Sequence, residues 1–214
     1  MARFNPAVDQ TVAWAAACAA YRINGGYVKW AETTSQKSNK EIVKELLQNP
    51  EDMITDQDQA QGQLVRKYIA KTATMASLRG TLDTWGREMA RVSQLATVEN
   101  SYDLNVIASM PQTYERQLQR DRVHERLGAA DRDYVATAGH KVELDVEVLE
   151  NCYSRKWSTY YVTVIDTENR AWYFAYRSGL KKGERFTVRG TVKRQADGMV
   201  QLNRVKLING GNSD

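Results

Sequence analysis

Residue types that carry covalent or metal chemistry are scarce in this chain. Its only histidines are His124 and His140, and its two cysteines, Cys18 and Cys152, stand far apart, so neither a CxxC redox pair nor a zinc knuckle can be assembled. Lone cysteines fit a reducing cytoplasmic setting, the host cytoplasm if the chain is viral. There is no G-x-x-x-x-G-K-[ST] loop, no G-x-S-x-G elbow and no H-E-x-x-H helix. Glu143, Asp145 and Glu147 form an acidic row, but three side chains along one strand diverge and make a poor metal site. The expectation is a binding module without catalytic residues, metal or cofactor.

What the sequence does supply is rings and cations, and it supplies them unevenly. Residues 1–137 carry no net charge, so the whole +4 of the chain belongs to residues 138–214. The same stretch holds 9 of the 19 aromatic residues. Rings that stack on bases, flanked by cations that follow phosphates, are the elements of a single-strand groove.

The elements that must position these residues fall into two kinds. The first 130 residues are read as helices with clear stops. Asn5-Pro6 opens one, Asn24-Gly25-Gly26 ends it, and Ser38-x-x-Glu41 is a capping box ahead of Ile42, Val43, Leu46 and Leu47, with Pro50 closing that segment. Arg3 before the apolar run Ala13–Ala20 superficially resembles a leader; Asp9 and Gln10 directly ahead of the run favour a buried internal helix. Thr55 caps a helix bearing Leu64, Val65, Tyr68 and Ile69. Met75, Leu78, Leu82, Trp85, Met89 and Val92 then predict one continuous apolar stripe, either the face of a bundle or a short coiled coil. Asp103 is read as capping a short turn, and Met110-Pro111 as starting a charged, solvated helix to Leu127.

At His140 the hydrophobic period changes to two. Val142, Leu144, Val146 and Val148 alternate with charged residues in a half-buried strand. Strands over Trp157–Asp166, Ala171–Tyr176, Arg185–Lys193 and Val200–Ile208 follow, joined by short turns. Five strands in about 70 residues predict a small closed barrel. The fold class expected is therefore α+β: an all-helical domain (1–130), a linker (131–139), a five-stranded barrel (140–209) and a tail (210–214).

The segment Leu180-x-x-Gly183-Glu184-x-Phe186-x-Val188-x-Gly190-x-Val192, with a final strand ending Arg204-Val205-Lys206-Leu207-Ile208, resembles the second half of an OB-fold nucleic-acid-binding domain. A helical half followed by such a barrel also resembles the replication-associated single-stranded-DNA-binding proteins of tailed phages. Only Arg177–Gly183 joins the third and fourth strands, too short for the helix many OB-folds place there. The resemblance implies a ligand on the outer face of the second and third strands, flanked by the loops after the first and fourth.

Those positions give the candidate site. Arg155 and Lys156 fall in the first loop, Lys193 and Arg194 begin the second, and Arg189 lies on the fourth strand. Tyr160, Val162 and Val164 mark the inner face of the second strand, which turns Trp157, Thr159, Tyr161 and Thr163 outward. On the third strand the reading sets Trp172 and Phe174 outward, since a small interior can take Ala171 and Ala175; filling the core is the competing role for each ring. The function expected is binding of single-stranded DNA with little sequence preference, in replication or recombination, with RNA left open because no residue identifies a reader of the 2′-hydroxyl. The helical half would meet replication or recombination proteins; no membrane is implicated. The alternative is a protein-interaction or assembly factor using the barrel as a docking platform.

Overall fold

A computed structural model describes residues 7–31, 33, 35–48 and 53–208. Asn5-Pro6, Pro50 and Gly210-Gly211 therefore lie outside the described residues. Two compact units divide the chain, Met1–Leu118 and Gln119–Asp214.

In the first unit, β1 (Val8–Asp9) leads into α1 (Gln10–Ile23), where Asp9 caps the helix by accepting from the Thr11 backbone N–H. Every residue from Ala13 to Ala20 is buried. Small side chains let α3 (Asp56–Leu78) approach closely: a Cβ on Gly62 would stand 2.8 Å from the Ala15 nitrogen. α2 (Asn39–Leu46) starts at the expected Ser38–Glu41 capping box, and α3 at a second box between Thr55 and Asp58.

The long apolar stripe does not form. Gly80, at φ +67°, ends α3: its N–H bonds to the Ser77 carbonyl and the Thr81 N–H to Ala76, closing the helix in a Schellman turn. Asp83 then caps α4 (Thr84–Gln94) by accepting from Gly86 N–H. The break turns Met75, Leu78 and Trp85 out to solvent, while Val92 stays buried. β2 (Thr97–Val98) pairs antiparallel with β1 in a small ladder that the all-helical expectation missed.

α5 (Ser101–Gly128) passes through Pro111 without a break. The proline starts nothing; it merely leaves the Ile107 carbonyl without the usual i→i−4 donor. Asp103 is not the cap either. Asn100 accepts from the Asp103 N–H, while the buried Asp103 carboxylate binds Arg91.

The second unit is built on five strands: β3 (Lys141–Ser154), β4 (Thr159–Asp166), β5 (Ala171–Tyr176), β6 (Arg185–Ala196) and β7 (Met199–Ile208). They close in the order β3-β4-β5-β7-β6, and every pairing is antiparallel except β5 with β7. This is the expected OB-like barrel. Irregular pairing between Val148 and Glu150 bends β3, so its first half pairs with β6 and its second with β4. The interior is filled by Val146, Val148, Val162, Val164, Trp172, Phe174, Val188, Val192, Val200 and Leu202.

The segment expected to link domains is fixed to this barrel. Asp131 N–H donates to the Asn169 carbonyl, and the Gln195 side chain donates to the Tyr134 carbonyl while accepting from Ala136 N–H. Tyr134 packs on Trp172, ring centroids 5.6 Å apart. The last turns of α5 lie on the barrel exterior, where Val123 and Leu127, with Ala130 just beyond the helix, cover Leu149, Ile165, Ala171 and Met199.

Candidate nucleic-acid interface

Strand alternation decides which rings are available. Val162 pairs with Phe174 and Val164 with Trp172, so both aromatics stand beside inward valines, and both are 0% exposed. The expectation that Trp172 and Phe174 face outward is overturned. The alanines are outside instead because Ala171 lies beneath α5, where a close helix needs a small residue. The Trp172 indole N–H donates to the buried Asp166 carboxylate at 2.9 Å. That carboxylate also accepts from Arg170, whose guanidinium lies 4.5 Å from the Tyr134 ring centroid. Trp172 is thus part of a sealed structural cluster.

With Trp172 inward, Tyr173 must point out. The register aligns Glu150, Thr163, Tyr173, Gln201 and Arg194 in one row running across β3, β4, β5, β7 and β6. The Arg194 guanidinium donates to Gln201 Oε1 at 2.9 Å and to the Tyr173 hydroxyl at 3.4 Å. Beside it a second row places Cys152, Tyr161 and Ala175 side by side, with Tyr161 38% exposed. Two rings, an amide, a hydroxyl and a cation therefore share the outer sheet above the part that α5 covers, with the Glu150 carboxylate at the β3 end of the row, away from Arg194.

Trp157 was expected on the second strand but sits in the turn between β3 and β4, which spans residues 155–158 and closes through Ser158 at φ +46°. It is 64% exposed, with the Lys156 ammonium 5.2 Å from its ring centroid and Arg155 exposed next to it. Lys193 is exposed at the irregular pairing between Val192 and Arg194. Of the candidate residues, Tyr161 and Arg194 thus share one outer face, while Arg155, Lys156 and Trp157 share one turn.

Arg189 belongs elsewhere. It is exposed, but it lies opposite Glu143 in the β3–β6 register and donates to that carboxylate at 2.7 and 2.8 Å. The neighbouring acids are occupied as well: Asp145 accepts from the Thr187 hydroxyl, and Glu147 from Arg126 and Arg185. Arg126 holds the Glu147 carboxyl below the usual carboxylate range against the opposing effect of burial, and Arg185 adds to that pull. Glu143 and Glu147 are thus paired with cations, which cancels much of the row's repulsion of phosphate, while Asp145 has only a neutral hydroxyl donor. Among the described residues no group of acids, histidines and cysteines could hold a metal ion.

Thr163 faces outward as expected, whereas Tyr173 and Gln201 were missed from the sequence. The signal that finds them is parity alone, once the inward face of the third strand is known. No described helix is long and apolar enough to cross a membrane. No family model matches the chain, and neither curated proteins nor solved structures give a match.

Proposed function

We propose that this chain binds single-stranded DNA, with little sequence preference, on the outer face of its OB-like barrel. The role would be in replication or recombination, as in the phage proteins its layout resembles. One observation carries the reading: the row Thr163–Tyr173–Gln201–Arg194, with Tyr161 beside it, sets rings and hydrogen-bonding groups next to a cation on an open sheet. Each base stacked on such a ring is worth about 1–3 kcal/mol, whatever its identity. The turn carrying Arg155, Lys156 and Trp157 adds a further exposed ring with two exposed cations next to it in the chain.

Oligo-dT and oligo-rU titrated in parallel test it, followed by tryptophan fluorescence at rising salt. Quenching by dT that weakens steeply with salt is expected. Equal quenching by rU would widen the ligand to RNA, and an unchanged signal at low salt would sink the reading.

The docking-platform alternative has its own support. The α5 residues Val123 and Leu127 already pack on the exterior of the same sheet, so an apolar helix face can be accommodated there. Failure of both oligonucleotides, with folding intact, would favour that use.

A further inference from the structure

We infer that the helical unit carries a second contact for single-stranded nucleic acid, centred on Trp30. This rests on the proposal that the chain binds a single strand, but its residues lie outside the barrel. Trp30 is 67% exposed, and the ammonium groups of Lys29 and Lys40 stand 5.5 and 5.3 Å from its ring centroid. Among the described residues neither lysine forms a salt bridge, although Glu41, whose carboxyl the Ser38 hydrogen bonds chiefly hold below its ordinary range, is lowered further by Lys40.

The arrangement is held from below. Asn39 is fully buried, and its side chain accepts from the Val28 N–H at 2.8 Å, while its own N–H donates to the Val28 carbonyl at 2.9 Å. It also donates to the Gly26 carbonyl and accepts from Asn24, whose amide reaches the Lys37 carbonyl. This amide clip ties the 24–28 loop to the start of α2. Lys29 follows Val28 and Lys40 follows Asn39, so one clip brings both cations to the ring. Of the described acids on this segment, Glu45 pairs with Lys37, and Glu41 accepts from the Ser38 N–H and hydroxyl.

The chemistry fits a polynucleotide better than a protein or a bilayer. Ala31, Thr33 and Ser35, the described residues that follow the ring in sequence, are small and exposed, and the two cations at the ring favour an anionic partner over an apolar one. An exposed planar ring with two ammonium groups within 5.5 Å of its centroid matches one base and its flanking phosphates.

The test uses the full chain and a 5-iodouracil-substituted oligo-dT, photocrosslinked and mapped by peptide mass spectrometry, with affinities of Trp30→Ala and Trp30→Phe measured alongside. A crosslink at Trp30, a loss of about 5-fold or more for Trp30→Ala and near-normal affinity for Trp30→Phe are expected. Circular dichroism should show both variants folded, because the ring is exposed. Crosslinks confined to the barrel with unchanged Trp30→Ala affinity would overturn the inference and leave the barrel reading intact. A crosslink at Trp30 alone would keep the inference and remove the barrel face. No crosslink anywhere would end both.

Discussion

The two outer faces of the barrel carry similar residues to opposite ends. On the β3–β6 side, Arg189 and Arg185 stand across from Glu143 and Glu147, and the register joins each cation to an acid. On the β4–β5–β7 side, Arg194 stands across from Gln201 and reaches the Tyr173 hydroxyl. A count of basic residues treats Arg189 and Arg194 alike. What separates them is the residue that strand pairing puts opposite: a carboxylate consumes the positive charge, and an amide orients it and leaves it available.

The sharpest way to break this comparison is to move one residue along β5. Trp172 and Tyr173 are neighbours on opposite sides of the sheet. Trp172→Ala opens a large hole in the barrel interior and strips the buried Asp166 of one of its donors. A loss of about 3–5 kcal/mol is expected, read by urea unfolding of the full chain. A loss under about 1 kcal/mol would mean that the ring does not fill the core.

Tyr173→Ala should do the reverse. Stability changes little, because the ring is only half buried, while affinity for oligo-dT falls by the value of one stacked base, about 1–3 kcal/mol. Fluorescence anisotropy of a labelled strand measures it. If affinity holds and folding fails, the outer face is structural rather than a ligand platform.

The sequence disclosed the barrel because periodicity two is hard to disguise: Val146 and Val148, Val162 and Val164, and Val188 and Val192 all line the interior. It disclosed the caps at Ser38 and Thr55 for a similarly local reason. It misled where a distant element decides. Ala171 and Ala175 looked like filling for a small core, but Ala171 is small because α5 lies on it. The spacing from Met75 to Val92 looked like one helix because stripe periodicity survives a loop of suitable length; the Schellman turn at Gly80 is what interrupts it. Arg189 looked available because its partner, Glu143, is 46 residues away.

The next comparison sets Arg194→Ala against Arg189→Ala. If Arg194 holds one phosphate, its loss lowers the slope of log affinity against log salt by about 0.7, the single-strand value per contact. Arg189→Ala should leave both slope and affinity unchanged, since its guanidinium already belongs to Glu143. Removing that exposed pair should alter stability by about 0–1 kcal/mol. Equal slopes for the two variants would erase the distinction between the faces.

The smallest effect concerns acid. Glu147 is held below its ordinary range chiefly by Arg126, against burial and with help from Arg185. A carboxyl whose folded value is depressed binds its proton more readily in the unfolded chain, so its stabilisation is complete above the unfolded value, near 4.5. It is lost as pH falls through the folded one. Glu147→Gln should therefore be less stable than the parent at pH 7 by about 1 kcal/mol or less, and the gap should close as pH drops from about 5 towards 3. The gap matters more than either curve, because two acids of the helical unit weaken both proteins together in acid: Asp58, depressed, against its burial, by Arg22 and Thr55, and Asp103, depressed chiefly by Arg91. A gap that stays constant with pH would mean that the β3–β6 face is held by packing and hydrogen bonding, not by charge. The paired face would then differ from the open one in shape alone.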